Sequence, residues 1–191
     1  MSAVPAARER ILAAADRLFY AEGVRGVGVD RVIAESDVAR VTFYRHFPAK
    51  DDLVVAYVQR QLGRDRAALT GLQDAHPGRP ERVLLDIGEH LYRDAAQQGF
   101  RGCPYSNVSV EFFETDHPVR QAALQHRVWL KTEVQDLLGA TGHPAPARAA
   151  EELLVLRAGA MAIAGNNGWE KQMWDCFLER WTEVVRGAVS R

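Results

Sequence analysis

The chain is poor in the residues that stabilise a protein covalently or through a metal. Its 191 residues include only two cysteines, Cys103 and Cys176. These are too few for a disulfide framework, and no second closely spaced pair is present to complete a zinc cluster. The histidines also lack the spacing of metal-ligand motifs such as HExxH. We therefore expect reduced thiols, no metal ion and no cofactor.

Long hydrophobic runs and strand-like alternation are missing as well. No stretch of about 20 uncharged apolar residues occurs, so a membrane-spanning helix is not predicted. The N-terminal segment MSAVPAARERIL carries acidic as well as basic residues and has no apolar signal-peptide core. With 47% apolar residues the chain can still bury a sizeable core. We expect a cytoplasmic, all-α protein that does not bind a membrane.

An excess of positive charge is missing overall, but charge is unevenly distributed along the chain. The formal net charge of −1 excludes a chain that is basic throughout. Residues 1–50 hold eight Lys and Arg against six Asp and Glu, a net +2, whereas the rest holds 16 against 19, a net −3. A small basic module attached to an acidic body is compatible with localised contacts to phosphate groups.

Apolar spacing predicts three short helices in the first part of the chain. The first runs from Ala7 to Glu22 and ends at Gly23, and the second runs from Val29 to about Ser36. The third covers 38–47 and is stopped by Pro48. Three such helices suit a helix-turn-helix module over residues 1–50. We expect residues 51–191 to form a helical body for ligand binding and dimerisation. Its helices are separated by breaks at 76–80, 99–104, 115–118 and 140–146.

The third helix carries side chains suited to a DNA major groove. Arg40 lies near its N-terminal end, and an arginine fork pairs with guanine O6 and N7; a solvated surface arginine is the alternative. Val41 offers an apolar surface for a thymine methyl group. Lys50 begins the fourth helix, where free N–H groups attract a phosphate. An ordinary surface lysine, offset by neighbouring aspartates, is the alternative there.

A family resemblance rests on these same residues. The stretch 29–53, VDRVIAESDVARVTFYRHFPAKDDL, with its IAE, TFYRHFP and KDDL segments, resembles the TetR (tetracycline-repressor) family of bacterial transcription regulators. The likeness covers residues 8–58, and RGCPYSN (101–107) with DHPVR (116–120) resembles one subgroup. It implies a homodimer with a subunit of about nine helices and repression relieved by a small molecule bound in the C-terminal body.

The resemblance also implies roles for individual residues. Tyr44 and His46 contact the DNA backbone, Thr42 contacts a base or a phosphate, and Phe43 and Phe47 anchor the core. Arg45 is available for either kind of DNA contact. The complete DNA-binding set that we predict is Arg40, Val41, Thr42, Tyr44, Arg45, His46 and Lys50.

The sequence departs from the family pattern at helix starts and at the turn. Gly28, Ala39 and Ala49 stand where Thr or Ser is usual, and losing such an N-cap costs about 1 kcal/mol. Asp37 stands where Gly is common, and Asp tolerates a left-handed turn better than most residues. The operator sequence therefore cannot be transferred from relatives.

The body contains two sets of candidate residues, polar and aromatic side chains for a ligand pocket and apolar side chains on the last two helices for a dimer interface. A ligand pocket needs apolar walls with a few convergent polar groups. For the pocket we nominate Tyr92, Phe100, Cys103, Tyr105, Asn107, Glu111, Phe112, Trp129, Arg157 and Met161. For a four-helix dimer interface we nominate Leu153, Leu156, Ala160, Ile163, Met173, Phe177, Trp181 and Val184.

Arg157 is the only charge in the run LLVLRAGAMAIA, and an unpaired buried charge is costly. We expect a carboxylate partner, an interface role or an anionic ligand for it. Cys103 is a candidate reactive thiol because a basic residue lies nearby.

The sequence therefore predicts a dimeric repressor of a palindromic operator that a small-molecule effector releases. One alternative is a helical protein-interaction adaptor with an inactive DNA motif. The other is an all-α enzyme using Glu111, His117 and Cys103, although no nucleophile-base motif, glycine loop or carboxylate pair is present.

Overall fold

The computed structural model describes residues 6–187, which form nine α-helices and no strand. The predicted all-α fold is therefore confirmed. The helices are α1 Ala7–Glu22, α2 Val29–Ser36, α3 Arg40–His46, α4 Lys50–Ala75, α5 Pro80–Ala95, α6 Pro104–Glu111, α7 Pro118–Ala140, α8 Pro146–Asn167 and α9 Lys171–Val185.

Prolines mark where most of the later helices begin. Pro80, Pro104, Pro118 and Pro146 are the first residues of α5 to α8. Proline suits a first helical position because its φ is already helical and its missing N–H would be unpaired there. Each lies within a break predicted from the sequence, and α1 ends at Gly23 as expected.

The described part of the chain divides into two compact units. The first unit runs to Gly63 and adds Pro104–Leu124, so it includes α6 and the first turns of α7. The second comprises Arg64–Cys103 and the chain from Gln125 onward. The boundary falls inside α4 because the first half of that long helix packs with the N-terminal helices.

The core of the first unit joins α1 to the two short helices and to α4. Ile11 and Val32 are fully buried, and Phe19 meets Tyr57 edge-on with ring centroids 5.6 Å apart. Such edge-to-face pairs add about 0.5–1.5 kcal/mol beyond the buried area. The result is a fixed platform for α3.

Tryptophans of α9 form the core of the second unit. Trp174 and Trp181 are 0% and 1% exposed, and Trp181 Nε1 donates a hydrogen bond to the Leu84 carbonyl oxygen at 2.8 Å. Gly88 admits this indole, because a Cβ there would lie 2.7 Å from Trp181 Cδ1. The apolar stripe of α9 is thus turned inward against α5 and α8.

Candidate nucleic-acid interface

Helix α3 has one buried and one exposed side. Phe43 is 0% exposed and Phe47 is 3% exposed, so both anchor the helix in the core, as the resemblance implies. Val41 is 78% exposed. Among the other residues predicted to bind DNA, Arg40, Tyr44, Arg45 and His46 are exposed, whereas Thr42 and Lys50 are half-buried. The buried rings fix the helix and leave its opposite side open.

The turn before α3 is tight. Asp37 has φ 50° and ψ 51°, the left-handed conformation that its place in the turn predicted. Val38 and Ala39 precede the helix rather than opening it, because Ala39 is extended and makes no side-chain cap. The third helix is therefore two residues shorter at its start than the sequence suggested, and Arg40 becomes its first residue.

Arg40 has an acidic neighbour that sequence reasoning did not identify. Its Nη1 lies 2.5 Å from Oδ1 of Asp30 on α2, and its guanidinium carbon lies 5.6 Å from the Tyr44 ring centroid. Both members of the ion pair are largely exposed. Exposed pairs contribute only about 0–1 kcal/mol, so exchanging Asp30 for a phosphate or a base costs little.

The start of α4 compensates for its missing side-chain cap. The Ala49 amide donates to Oδ2 of Asp52 at 2.9 Å, the backward half of a capping box. Lys50 is the first residue of this helix and is half-buried. Burial lowers the pKa of Lys50, while the charges of Glu111 and Asp51 act in the opposite direction.

Glu111, nominated for the ligand pocket, contacts the loop between α1 and α2. Its Oε1 accepts a hydrogen bond from the Val24 amide at 2.9 Å, and its Oε2 accepts one from the Arg25 amide at 2.6 Å. The ring of Phe112 packs against the ring of His117, with the two ring centroids 4.6 Å apart. These side chains stabilise the first unit.

The α6 residues nominated with them also belong to the first unit. Tyr105 is 4% exposed, and its carbonyl oxygen accepts a hydrogen bond from the Ser109 hydroxyl at 2.8 Å. Asn107 is half-buried. The structure therefore separates the nominated pocket residues into two sets, one in each unit.

A polar cluster lies within the second unit. Arg157 Nη1 lies 3.8 Å from the sulfur of the buried Cys103, and the buried Met161 follows one turn later on α8. Within residues 6–187, no acidic oxygen lies within 4.0 Å of Arg157. Of the three roles expected for Arg157, a carboxylate partner is therefore not found among the described residues.

His126 lies close enough to this cluster to be influenced by the charge of Arg157. The sequence analysis did not nominate it, because in the sequence it is one of several scattered histidines. It is 4% exposed, and its Nε2 lies 3.3 Å from Oδ2 of Asp65. Burial lowers the pKa of His126, the Asp65 bond opposes this, and the positive charge of Arg157 lowers it further. The imidazole ring also lies 5.9 Å from that of Trp129.

The remaining nominated pocket residues pack at the edge of the tryptophan core. Tyr92, Phe100 and Trp129 are partly buried against it. The Tyr92 hydroxyl donates to Asp175 at 3.4 Å, and Trp129 Nε1 donates to Glu133 at 3.1 Å. Their polar atoms thus already have partners within the second unit.

Most residues nominated for the dimer interface point into the core of the chain itself. Leu156 and Met173 are partly buried against the same core, and Ile163 is 43% exposed. The fully buried members of that set are Leu153, Ala160, Phe177, Trp181 and Val184. The opposite side of α8 is exposed instead and carries Val155, Ala158, Gly159, Ala162 and Ile163.

The described part of the chain was also searched for groups of metal ligands and for membrane-spanning helices. Between residues 6 and 187, no three His, Cys, Asp or Glu side chains are grouped so that they could hold a metal ion. None of the helices in this range combines the length and apolarity needed to span a bilayer.

An exposed third helix on a three-helix module, followed by a helical body, defines a helix-turn-helix DNA-binding regulator. The family model for bacterial regulatory proteins of the tetR family matches residues 11–57. The crystal structure of SCO4454, a TetR-family transcriptional regulator from Streptomyces coelicolor, is 36% identical, covers 94% of each chain and has a TM-score of 0.86. The chain belongs to the tetR family of bacterial transcription regulators.

Other relatives agree with this assignment. The regulator LmrA of Bacillus subtilis is 28% identical over 116 residues, which span 60% of this chain and 62% of LmrA. The reduced form of Escherichia coli NemR superposes with a TM-score of 0.82 over 93% of this chain and 97% of NemR. At 21% identity, that last likeness concerns the fold alone.

Proposed function

We propose that the protein is a homodimeric repressor that binds a palindromic operator and is released by a small-molecule effector. The observation that carries this proposal is the exposed side of α3, where Arg40, Val41, Tyr44 and Arg45 stand opposite the buried Phe43. In a dimer, two such helices enter successive major grooves about 34–36 Å apart. The operator is then bacterial DNA, and the protein acts in the cytoplasm.

The exposed side of α8 is the surface that we propose for dimerisation. Val155 is 68% exposed, and no charged residue follows Arg157 on this helix. A Cβ added at Gly159 would meet nothing within 4 Å, so a second helix has room to approach closely. An apolar, small-residue stripe of this kind suits an isologous contact between two copies.

We place the effector near Arg157 and infer that it carries a negative charge. Leu153, Met161 and Ala164 lie on the same side of α8 and are buried, yet Arg157 among them is only half-buried. A guanidinium has five donors, and among residues 6–187 the hydrogen-bond acceptor that Arg157 meets is the weak acceptor Cys103 Sγ. A carboxylate or sulfonate would supply the missing partner.

DNA binding itself is tested with two substitutions that should act differently. Lys50→Ala should weaken binding to every duplex and reduce the steepness of the salt dependence by about one counterion for each copy of the chain, or about two for the dimer. Arg40→Ala should also relax base preference at one position of each half-site, at a cost of about 1–3 kcal/mol. The measurement is fluorescence anisotropy on an operator selected from random DNA, at several salt concentrations.

The matched control for these variants is Arg148→Ala, which removes an exposed charge from the first turn of α8. It should leave operator affinity unchanged. A parent protein that retains no duplex even at low salt would refute the proposal, and wild-type base preference in Arg40→Ala would remove Arg40 from base recognition.

The charge of the effector is tested with two fluorescent probes of similar shape. We expect 1-anilinonaphthalene-8-sulfonate, an anion, to bind with an affinity that falls at least about tenfold in Arg157→Gln, the scale of one charge-assisted hydrogen bond. The uncharged N-phenyl-1-naphthylamine should bind both proteins equally. Equal loss of both probes, or of neither, would contradict an anion site at Arg157.

The enzyme alternative has no support in the geometry. Glu111 already accepts hydrogen bonds from the Val24 and Arg25 amides, at 2.9 Å and 2.6 Å. His117 is already engaged, with Nε2 3.3 Å from Asp51 and Nδ1 accepting the Val119 amide at 3.3 Å. The adaptor alternative would require an α3 surface that ignores DNA, which the anisotropy measurement decides.

A further inference from the structure

The guanidinium of Arg40 is positioned by two side chains of the first unit. Its Nη1 lies 2.5 Å from Oδ1 of Asp30, the second residue of α2, and its carbon lies 5.6 Å from the centroid of the Tyr44 ring. Tyr44 in turn meets the fully buried Phe43 edge-on, with ring centroids 5.3 Å apart. The guanidinium therefore takes its place from both helices that flank the turn.

Asp30 engages one nitrogen of this guanidinium and leaves the others open. Among residues 6–187, Asp30 is the carboxylate that pairs with Arg40, and the contact is made through Nη1. Nε and Nη2 form the other edge of the group, where two parallel N–H donors match O6 and N7 of a guanine. Arg40 can therefore bind a guanine while it stays paired with Asp30.

A phosphate responds to the pair differently from a base. The side chains of Arg40 and Asp30 are 63% and 77% exposed, so both charges stand on the side of the module that faces DNA. Phosphates attract net positive charge at any sequence, and the pair as a whole is neutral. A guanine edge requires oriented donors, which the pairing preserves. Asp30 thus weakens the contact that carries no sequence information and retains the one that does.

We propose that Asp30 is a positioning residue that makes Arg40 selective for guanine, by orienting its guanidinium and offsetting the charge that would otherwise bind phosphates at any sequence. This inference rests on the proposed function, in which Arg40 contacts a base. Asp30 itself touches no base and acts through Arg40. Its contribution is to discrimination between DNA sequences, to which a repulsive group can add as much as an attractive one.

Asp30→Asn tests this role, because it keeps the shape of the side chain and removes its charge. We expect the ratio of operator affinity to random-duplex affinity to fall about threefold for each copy of the chain, or about tenfold for the dimer, a loss within the range of an exposed ion pair. Affinity for random duplex should rise, with a salt dependence steeper by about one counterion per copy. The measurement is fluorescence anisotropy on both duplexes at several salt concentrations.

The rise on random duplex separates positioning from a structural role. A carboxylate in the first turn of α2 also favours the helix, so a merely structural loss would weaken binding to both duplexes. The matched control is Glu35→Gln, which removes an exposed charge from the same helix but from a pair with Arg17, 3.9 Å away. It should change both affinities by the same factor and leave their ratio within about twofold of the parent value.

A double variant tests whether Asp30 acts through Arg40. Adding Asp30→Asn to Arg40→Ala should leave the affinity ratio of Arg40→Ala unchanged within about twofold, because the group that Asp30 positions is already gone. Asp30→Asn alone should relax base preference at the same position of each half-site as Arg40→Ala does. A further tenfold loss in the double variant, or relaxed preference at a different position, would overturn the proposal.

Three levels of failure are distinguishable. A parent protein that selects no operator refutes the proposed function, and the role of Asp30 with it. An Arg40→Ala protein with the base preference of the parent removes both residues from base recognition and leaves DNA binding intact. An Asp30→Asn protein that keeps the parent affinity ratio, where Arg40→Ala does not, overturns only the role of Asp30.

Discussion

A double variant carrying Val155→Glu and Ile163→Glu is expected to sediment as a monomer and to lose at least about 100-fold in operator affinity. Both side chains are exposed in the subunit, so the substitutions should change subunit stability by no more than about 0.5 kcal/mol. In an isologous contact each new carboxylate faces the same surface of the partner, and like charges there are strongly disfavoured. A monomer then binds one half-site without the gain from a linked second one, which is worth about 10²–10⁴.

Analytical ultracentrifugation of the free protein and anisotropy on the selected operator check this expectation together. Arg148→Glu is the matched control, since it changes charge on the same helix outside the exposed apolar stripe. A double variant that remains dimeric and keeps its operator affinity would move the interface away from α8. Weak operator binding by a variant that is still dimeric would instead separate dimerisation from DNA binding.

The sequence predicted helix positions well where local chemistry determines them. Gly23 ends α1 and Pro80 begins α5 because a glycine end and a proline start act within a single turn. Helix α3 was also predicted from local sequence, yet the predicted first residue, Val38, lies two positions before the observed one, Arg40. Val38 and Ala39 fit the apolar pattern of a helix, but the left-handed Asp37 leaves Ala39 extended.

The direction in which a helix faces was harder to predict. The middle of α8 is apolar on nearly every side, so its pattern does not distinguish the side that meets α5 and α9 from the side left exposed. Ile163 lies on the exposed side, whereas Leu153 and Ala160 lie on the buried one. The choice depends on how Trp174 and Trp181 fill the subunit core, which is a property of packing across distant segments.

Long-range polar contacts left no signal in the sequence. Glu111 pairs with amides 86 and 87 residues away, and backbone amides carry no residue identity that a pattern could reveal. The partner of Arg40, Asp30, lies on the other side of the turn and is one of several acidic residues in that region. The sequence alone therefore did not indicate which carboxylate Arg40 would meet.

Trp181→Ala is expected to have the largest effect on stability in the second unit. The indole is 1% exposed, fills the space left by Gly88 and donates to the Leu84 carbonyl oxygen, so its removal leaves a cavity and an unpaired acceptor. Truncating a buried tryptophan costs about 3–5 kcal/mol. For a chain of this size that lowers Tm by about 6–20 °C. The measurement is calorimetry at one fixed protein concentration, because dimerisation shifts Tm.

Two comparisons separate the contributions of Trp181 and decide which way it faces. Trp181→Phe keeps most of the apolar area but leaves the Leu84 carbonyl unpaired, so we expect a loss of about 1–3 kcal/mol. Trp169→Ala, at a tryptophan that is 38% exposed, should cost far less than Trp181→Ala. Trp181→Glu should unfold the second unit, because an unpaired carboxylate cannot be accommodated beside Leu84. A folded, monomeric Trp181→Glu protein would contradict this and return Trp181 to the subunit interface that the sequence alone suggested.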